Sequence, residues 1–343
     1  MQELLNVLYV QTQGAVLHLD NDTVRVEIGQ ETKLRAPLLR LGGIVVFGEV
    51  TITPPLIRRC AMDGRNLVWL TYYGQFRARV EGPTRGNVLL RQAQHQSLAN
   101  AERTAHIARQ CIAGKVQNSR QLLLRAARET EDEAHRAALS AATEELATVL
   151  EQLPAFGDLN GLRGAEGKAA RAYFGVFGYM IRDDAAHLGP AGRTRRPPKD
   201  PVNAVLSLLY GLLRAECASA LEGVGLDPQV GYLHALRPGR PALALDLMEE
   251  LRPVLADRIA ITLINRKQLQ EKDFQAVPGS GVRLTERGKR TVLTTYQERK
   301  EDMVQHRVLK QKIPLGLVSH IQARLLARHV RGELETYPPF LYR

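Results

Sequence analysis

Between Gly231 and Glu250 the chain reads Gly-Tyr-Leu-His-Ala-Leu-Arg-Pro-Gly-Arg-Pro-Ala-Leu-Ala-Leu-Asp-Leu-Met-Glu-Glu. His234 offers ring nitrogens to a metal, Arg237 and Arg240 flank a Pro-Gly turn, and Asp246, Glu249 and Glu250 supply carboxylates within a leucine-rich stretch. Asp246 and Glu249 stand at i, i+3 and share a helix face, whereas Glu250 is rotated off it. Acids among leucines must be paired, protonated or metal-bound, because burying an isolated carboxylate is costly. Salt bridges to Arg252 or Arg258 are the structural alternative. The turn between Arg237 and Arg240 limits the entropy lost in aiming two guanidiniums at one phosphate. The competing reading is that these arginines only neutralise Asp246, Glu249 and Glu250. A histidine, paired arginines and clustered acids together suggest metal-assisted chemistry on a phosphodiester.

A second acidic element is expected at Glu166, between Gly164 and Gly167 at the opening of a helix running from Glu166 to Arg182. Glycine inside a helix costs about 1 kcal/mol relative to alanine. Gly167 therefore reads as space left beside the carboxylate for a metal or a phosphate backbone. The plainer reading is a solvated glutamate favoured by the helix dipole. One histidine with two or three carboxylates suits Mg2+ or Mn2+, the imidazole tilting preference toward Mn2+, and makes a poor structural zinc site. Phosphate-loop, nucleophile-elbow and His-Glu-x-x-His motifs are absent, which removes the main support for ATPase, serine hydrolase and zincin chemistry.

The composition agrees with a polyanion partner. Forty-seven Lys+Arg against 36 Asp+Glu leave a net charge of +11, and neutralising phosphates releases condensed counterions. Arginine predominates over lysine, which favours bidentate phosphate recognition. Only 5% of residues are aromatic and Trp69 is the sole tryptophan, which argues against a sugar-binding platform. Cys60, Cys111 and Cys217 are far apart with no Cys-x-x-Cys, so neither a disulfide framework nor a cysteine zinc site is expected. The N-terminal residues lack the basic region of a signal peptide. The longest apolar run, Val202 to Leu213, is interrupted by Asn203, Ser207 and Gly211 and reads as a buried helix, so a cytoplasmic location is expected.

Two halves must position these groups. Leu4–Val10, Ala15–Leu19, Thr23–Ile28, Lys33–Ala36, Gly43–Phe47, Asn66–Leu70 and Gln75–Glu81 read as strands, with Asp20-Asn21-Asp22 as a tight turn and one helix over Leu56–Asp63. From Val88 the pattern turns helical: Ser97–Ile112, Gln117–Glu129, Glu131–Leu153, Glu166–Arg182, Val202–Leu221, Ala242–Ala260 and Gly316–Arg331, with a Pro- and Arg-rich loop at Gly189–Pro201. The fold class expected is α+β in two domains. Residues 1–90 form a small β-sandwich-like domain, and residues 91–343 form a larger all-α domain carrying the metal site.

Four segments, in this order, resemble the CRISPR-associated integrase family, the first-numbered and most widespread Cas protein of spacer acquisition. They are Gly82–Arg91, Leu162–Ala170, Arg196–Tyr210 and Gly231–Pro253. The Arg-Pro-Gly-Arg and Leu-Met-Glu-Glu stretches are similar in style to type I systems, subtype I-C in particular. The resemblance implies an N-terminal domain that forms a homodimer and a helical domain with one metal site. By motif its ligands are Glu166, His234 and Glu249, serving as catalytic and metal residues. Asp246 matches an acidic position that supports the site or meets substrate, and Asn203, Tyr210, Arg237 and Arg240 are its expected supporting or DNA-contacting residues. The implied reaction is attack of a DNA 3′-hydroxyl on a repeat-boundary phosphodiester, with metal-dependent nuclease activity beside it. A small dimeric Cas partner of ferredoxin-like fold bridges two integrase dimers. The residues alone leave open a non-catalytic basic scaffold for nucleic acid, in which His234 and the acids are structural.

Overall fold

The computed structural model describes residues 6–342 apart from Gln75, Glu81, 83–87, Ala191, Arg196 and Ser280, with only the backbone at Asp183. The start of the expected Leu4–Val10 strand, both ends of Gln75–Glu81, most of the Gly82–Arg91 motif's opening and Arg196 lie outside the described residues. The chain divides into two compact units, Met1–Arg85 and Gly86–Arg343.

The first unit is built from short alternating strands: β1 (Asn6–Val10), β2 (Ala15–Asp20), β3 (Thr23–Ile28), β4 (Glu31–Pro37), β5 (Leu41–Phe47), β6 (Thr51–Ile52), β7 (Asn66–Leu70) and β8 (Phe76–Val80). β2 and β3 form an antiparallel hairpin in which Asp20 faces Thr23, and Asn21 takes a left-handed φ of 53°, which asparagine tolerates in tight turns. Two four-stranded sheets result, ordered β1-β5-β7-β8 and β4-β3-β2-β6. Alternation sends Leu17, Val24, Val26 and Ile52 from one sheet, and Val10, Ile44, Val46 and Leu67 from the other, into a common core. Helix α1 (Pro54–Asp63) adds Leu56 and Cys60 to it, starting at proline and ending at a left-handed Gly64.

The second unit is mainly helical: α2 (Val88–Ala99), α3 (Ala101–Glu129), α4 (Glu133–Gln152), α5 (Leu159–Gly175), α6 (Pro201–Val224), α7 (Ala242–Met248), α8 (Arg258–Asn265), α9 (Glu286–Glu301) and α10 (Val318–Val330). It is not all-α. Two hairpins, β9 (Phe274–Val277) with β10 (Gly281–Leu284) and β11 (Met303–His306) with β12 (Gln311–Pro314), interrupt the region read as helical. Their four-residue strands are too short to show a period-two signal.

Two further expectations change. The expected helix Ser97–Ile112 is split at Asn100, its first residues ending α2, while from Ala101 it runs on through Gln117–Glu129 as one 29-residue helix, α3, capped by the Asn100 side chain. Its Gly114 is required by packing, because a Cβ there would lie 2.9 Å from the Cβ atoms of Glu250 and Pro339. Conversely, the expected helix Ala242–Ala260 breaks after Met248 into a π-helical turn over Arg252–Asp257 before α8. Pro253 lacks an N–H to continue the helical ladder. Helix α6 is long and apolar enough to cross a membrane by length and composition. It is held here in the helical core, with Val202, Leu206, Leu209, Leu213 and Leu221 buried.

Candidate metal centre

Asp246 organises the centre from within α7. It is completely buried, and its Oδ2 accepts the backbone N–H groups of Tyr232 at 2.6 Å and Leu233 at 3.0 Å. Its Oδ1 accepts the N–H of His234 at 3.0 Å and lies 2.7 Å from His234 Nδ1. A proton on Nδ1 shared with this carboxylate leaves Nε2 as the ring's free lone pair. Gly231 makes the clasp sterically possible, since a Cβ there would sit 2.6 Å from the Ala242 backbone and 2.8 Å from Asp246 Oδ2. Fully buried, Asp246 is placed to support His234.

His234 Nε2 faces Glu249 Oε1 at 3.7 Å. Glu249 follows the last residue of α7 and is 1% exposed. Arg252 lies 3.0 Å from its Oε1, and Lys115 of α3 lies 2.8 Å from its Oε2. Burial pushes the Glu249 carboxyl up, but Arg252, Lys115 and His234 outweigh it and hold the group at about 2. The Lys115 ammonium also contacts Glu166 Oε1. Glu166 sits in the middle of α5, whose N-terminus is capped instead by Asp158, so the expected helix opening and its dipole play no part. Gly167 does leave room: only the tip of Arg171 would come within 4 Å of a Cβ there, at 3.9 Å.

The structure therefore brings Glu166, His234 and Glu249 to one place despite 68- and 15-residue separations. Two carboxylates and an imidazole nitrogen form a donor set suited to Mg2+ or Mn2+. Glu249 Oε2 is buried and already faces a cation, the Lys115 ammonium at 2.8 Å, a position that a metal ion could take in its place. Among the described residues, no three His, Cys, Asp or Glu side chains are gathered at metal-binding spacing. Lys115 stands between the two glutamates instead. Sequence reading missed it, because one lysine in a long polar helix looks like part of a solvated face.

The other expected site residues separate by role. Tyr210 donates its hydroxyl to Asp257 Oδ1 at 2.6 Å, and Tyr173 donates to Oδ2 at 2.9 Å. The guanidiniums of Arg252 and Arg193 lie 5.0 and 5.2 Å from the Tyr210 ring centroid, so Tyr210 backs the arginine that grips Glu249. Asn203 takes the supporting position of the two expected for it. It is buried and spends its amide on the Pro/Arg loop, accepting from Arg193 at 2.6 Å and Thr194 at 3.1 Å and donating to Gly192 O at 2.8 Å. Arg237 and Arg240 close the expected turn, Arg240 N–H donating to Arg237 O at 3.0 Å. Among the described residues neither pairs with Asp246, Glu249 or Glu250. Arg258 likewise pairs with none of them, donating to the Tyr342 hydroxyl at 2.8 Å. Glu250 turns away from the centre and binds the Tyr337 hydroxyl, the Gln322 amide and the Phe340 N–H.

Burial raises Asp257 to about 6, against the opposing pull of Tyr210, Tyr173, Arg252 and Arg193. Its folded-state pKa exceeds the unfolded value of 3.8, so its stabilising contribution is complete below that value and is lost as pH rises through about 6. Asp257→Asn should remove about 3 kcal/mol of pH dependence between pH 4 and 8. Chemical denaturation across that range, mutant against wild type, checks this; parallel curves would contradict it.

The family model described as CRISPR associated protein Cas1 matches residues 8–298. The chain belongs to the Cas1 family. It is 52% identical, over the whole of both chains, to a CRISPR-associated endonuclease Cas1 of Moorella thermoacetica. Among solved structures it resembles a casposase bound to integration product, with TM-score 0.84 and 22% identity over 99% of this chain and 95% of that one. It is also similar to the Cas1 protein of Thermotoga maritima, with TM-score 0.80 and 23% identity over 96% and 97%. A Cas6-RT-Cas1–Cas2 complex contains a chain of which it covers 37%, matching all of its own length with TM-score 0.84 and 23% identity. As a member of this family it is a CRISPR-associated endonuclease.

Proposed function

We propose that this Cas1 protein joins and cuts DNA with a divalent cation, Mg2+ or Mn2+, held by Glu166, His234 and Glu249. The observation that carries this reading is the orientation of His234, clamped through Nδ1 by Asp246 so that Nε2 faces Glu249. Such a clamp fixes the tautomer and is costly to build, since it buries a carboxylate. When bound, the cation supplies charge to the phosphoryl group and its bridging oxygens.

In the proposed reaction the 3′-oxygen of a captured fragment loses its proton and bonds to phosphorus. The repeat strand's 3′-oxygen–phosphorus bond breaks, and that oxygen leaves as a hydroxyl. Water in place of the fragment gives cleavage. The Arg237–Arg240 turn lies beside His234 and holds a flanking phosphate. Strand transfer of a 3′-hydroxyl fragment into a repeat duplex, with Mg2+ or with chelator, tests the reading. Product of equal yield with chelator, or from Glu166→Ala, would overturn it.

The grip by arginine carries its own expectation. Arg240→Ala should lower strand transfer and reduce the salt slope of DNA binding by roughly one unit per lost phosphate contact. DNA titrations at several salt concentrations measure this; an unchanged slope would remove the arginine from the interface.

The β unit is proposed as the homodimer surface. β4 is an edge strand, Leu34 on it is 44% exposed and Leu39 just beyond it 79%, and open edges with apolar residues favour pairing. Leu34→Lys combined with Leu39→Glu should shift the full chain toward monomer by light scattering, and an unchanged mass would count against this face. We further propose that the protein works with a small Cas partner of ferredoxin-like fold that bridges two dimers; a structural relative is a chain of a Cas6-RT-Cas1–Cas2 complex. The same reading places the protein in the cytoplasm, in a type I system close to subtype I-C.

A further inference from the structure

We propose that the Lys115 ammonium is a built-in counter-cation that the divalent ion must displace, so that Lys115 sets the metal affinity of the centre. The inference rests on the metal-site reading above and deepens it. Its basis is position. Lys115 roots in the middle of α3, its side chain is 11% exposed, and its ammonium touches both Glu166 and Glu249, the two carboxylates assigned to the cation.

Lys115 donates a hydrogen bond to Glu166 Oε1 and lies 2.8 Å from Glu249 Oε2, so a single ammonium serves both carboxylates. Arg252, by contrast, approaches Glu249 on its other oxygen, so it can remain when Lys115 leaves.

Chemistry explains why a lysine suits this task. Without Lys115, Glu166 and Glu249 would repel with only Arg252, on the far oxygen of Glu249, to offset them. An ammonium on a flexible four-carbon stem neutralises them and can swing away, whereas arginine's rigid fork would hold on. Only an ion of higher charge displaces it. The device keeps the glutamates assembled before metal arrives and lowers the apparent affinity by the energy of removing the ammonium.

Mn2+ binding to the DNA-free protein, followed by the electron paramagnetic resonance signal of free Mn2+, tests this without any reliance on activity. Lys115→Met should bind Mn2+ about tenfold or more tightly than wild type, with a lower melting temperature before metal and a larger rise on adding it. Lys115→Arg should bind more weakly than wild type. Unchanged or weaker binding by Lys115→Met, beside a wild type that binds normally, would overturn the inference and leave the metal site standing. If neither protein binds, the metal site and the inference fall together. Should the methionine variant not fold, amine acylation of wild-type Lys115, read by mass spectrometry, decides: Mg2+ should increase labelling, and unchanged labelling with bound metal overturns the inference.

Discussion

Strand transfer by His234→Ala should fall by more than about 100-fold, because removing even an outer partner of a metal ligand typically costs 10–100-fold and here the ligand itself is lost. The fold should survive. His234 is 20% exposed at the side chain, and Asp246 would still accept the three N–H groups of Tyr232, Leu233 and residue 234. DNA affinity should change little, since phosphate neutralisation dominates binding. Strand transfer, thermal melting and DNA titration on the same preparation separate these effects. Near-wild-type strand transfer would remove His234 from the chemistry, and a collapse in melting temperature would make its role structural.

The largest stability effect is expected at Asp246. Alanine there strands the N–H groups of Tyr232, Leu233 and His234 in a buried site. Each unsatisfied buried donor costs about 1–3 kcal/mol, so Asp246→Ala should lose on the order of 3–9 kcal/mol and fold poorly. Asparagine is the more telling substitution. It keeps one oxygen, enough for one pair of donors, and sets an amide N–H against the other pair. Asp246→Asn should fold with reduced stability and bind Mn2+ about 10–100-fold more weakly, because the His234 tautomer is no longer imposed. Denaturant unfolding and Mn2+ titration measure the two effects. Wild-type metal affinity in Asp246→Asn would show that the carboxylate only closes the loop.

These outcomes separate what residue patterns carry from what packing adds. The β unit was legible because its signals are local: Thr23–Ile28 alternates with period two, Asp20–Asp22 turns, and Pro54 and Gly64 bracket α1. That Glu166, His234 and Glu249 neighbour Lys115 or one another was foreshadowed by the motifs of the family resemblance, which name these three residues as ligands. For Asn203 the sequence left open whether it supports the site or meets DNA. An asparagine at the start of a helix looks available for substrate, yet its partners, Gly192, Arg193 and Thr194, approach across a loop whose path sequence does not encode locally.

The sequence by itself determined a strand-rich first part, a helix-rich second part, a net positive charge suited to phosphates and the residue types of the proposed centre. Tertiary structure alone decided that α3 runs unbroken past Gly114, that a π-helical turn containing Pro253 separates α7 from α8, and that Asp246 faces inward to His234 while Glu250 faces the chain's last residues. It alone placed Lys115 between Glu166 and Glu249. The physical reason is range. Propensity, alternation and turn chemistry act over a few residues, whereas the charge balance of a buried centre is set by groups that meet only when distant helices pack.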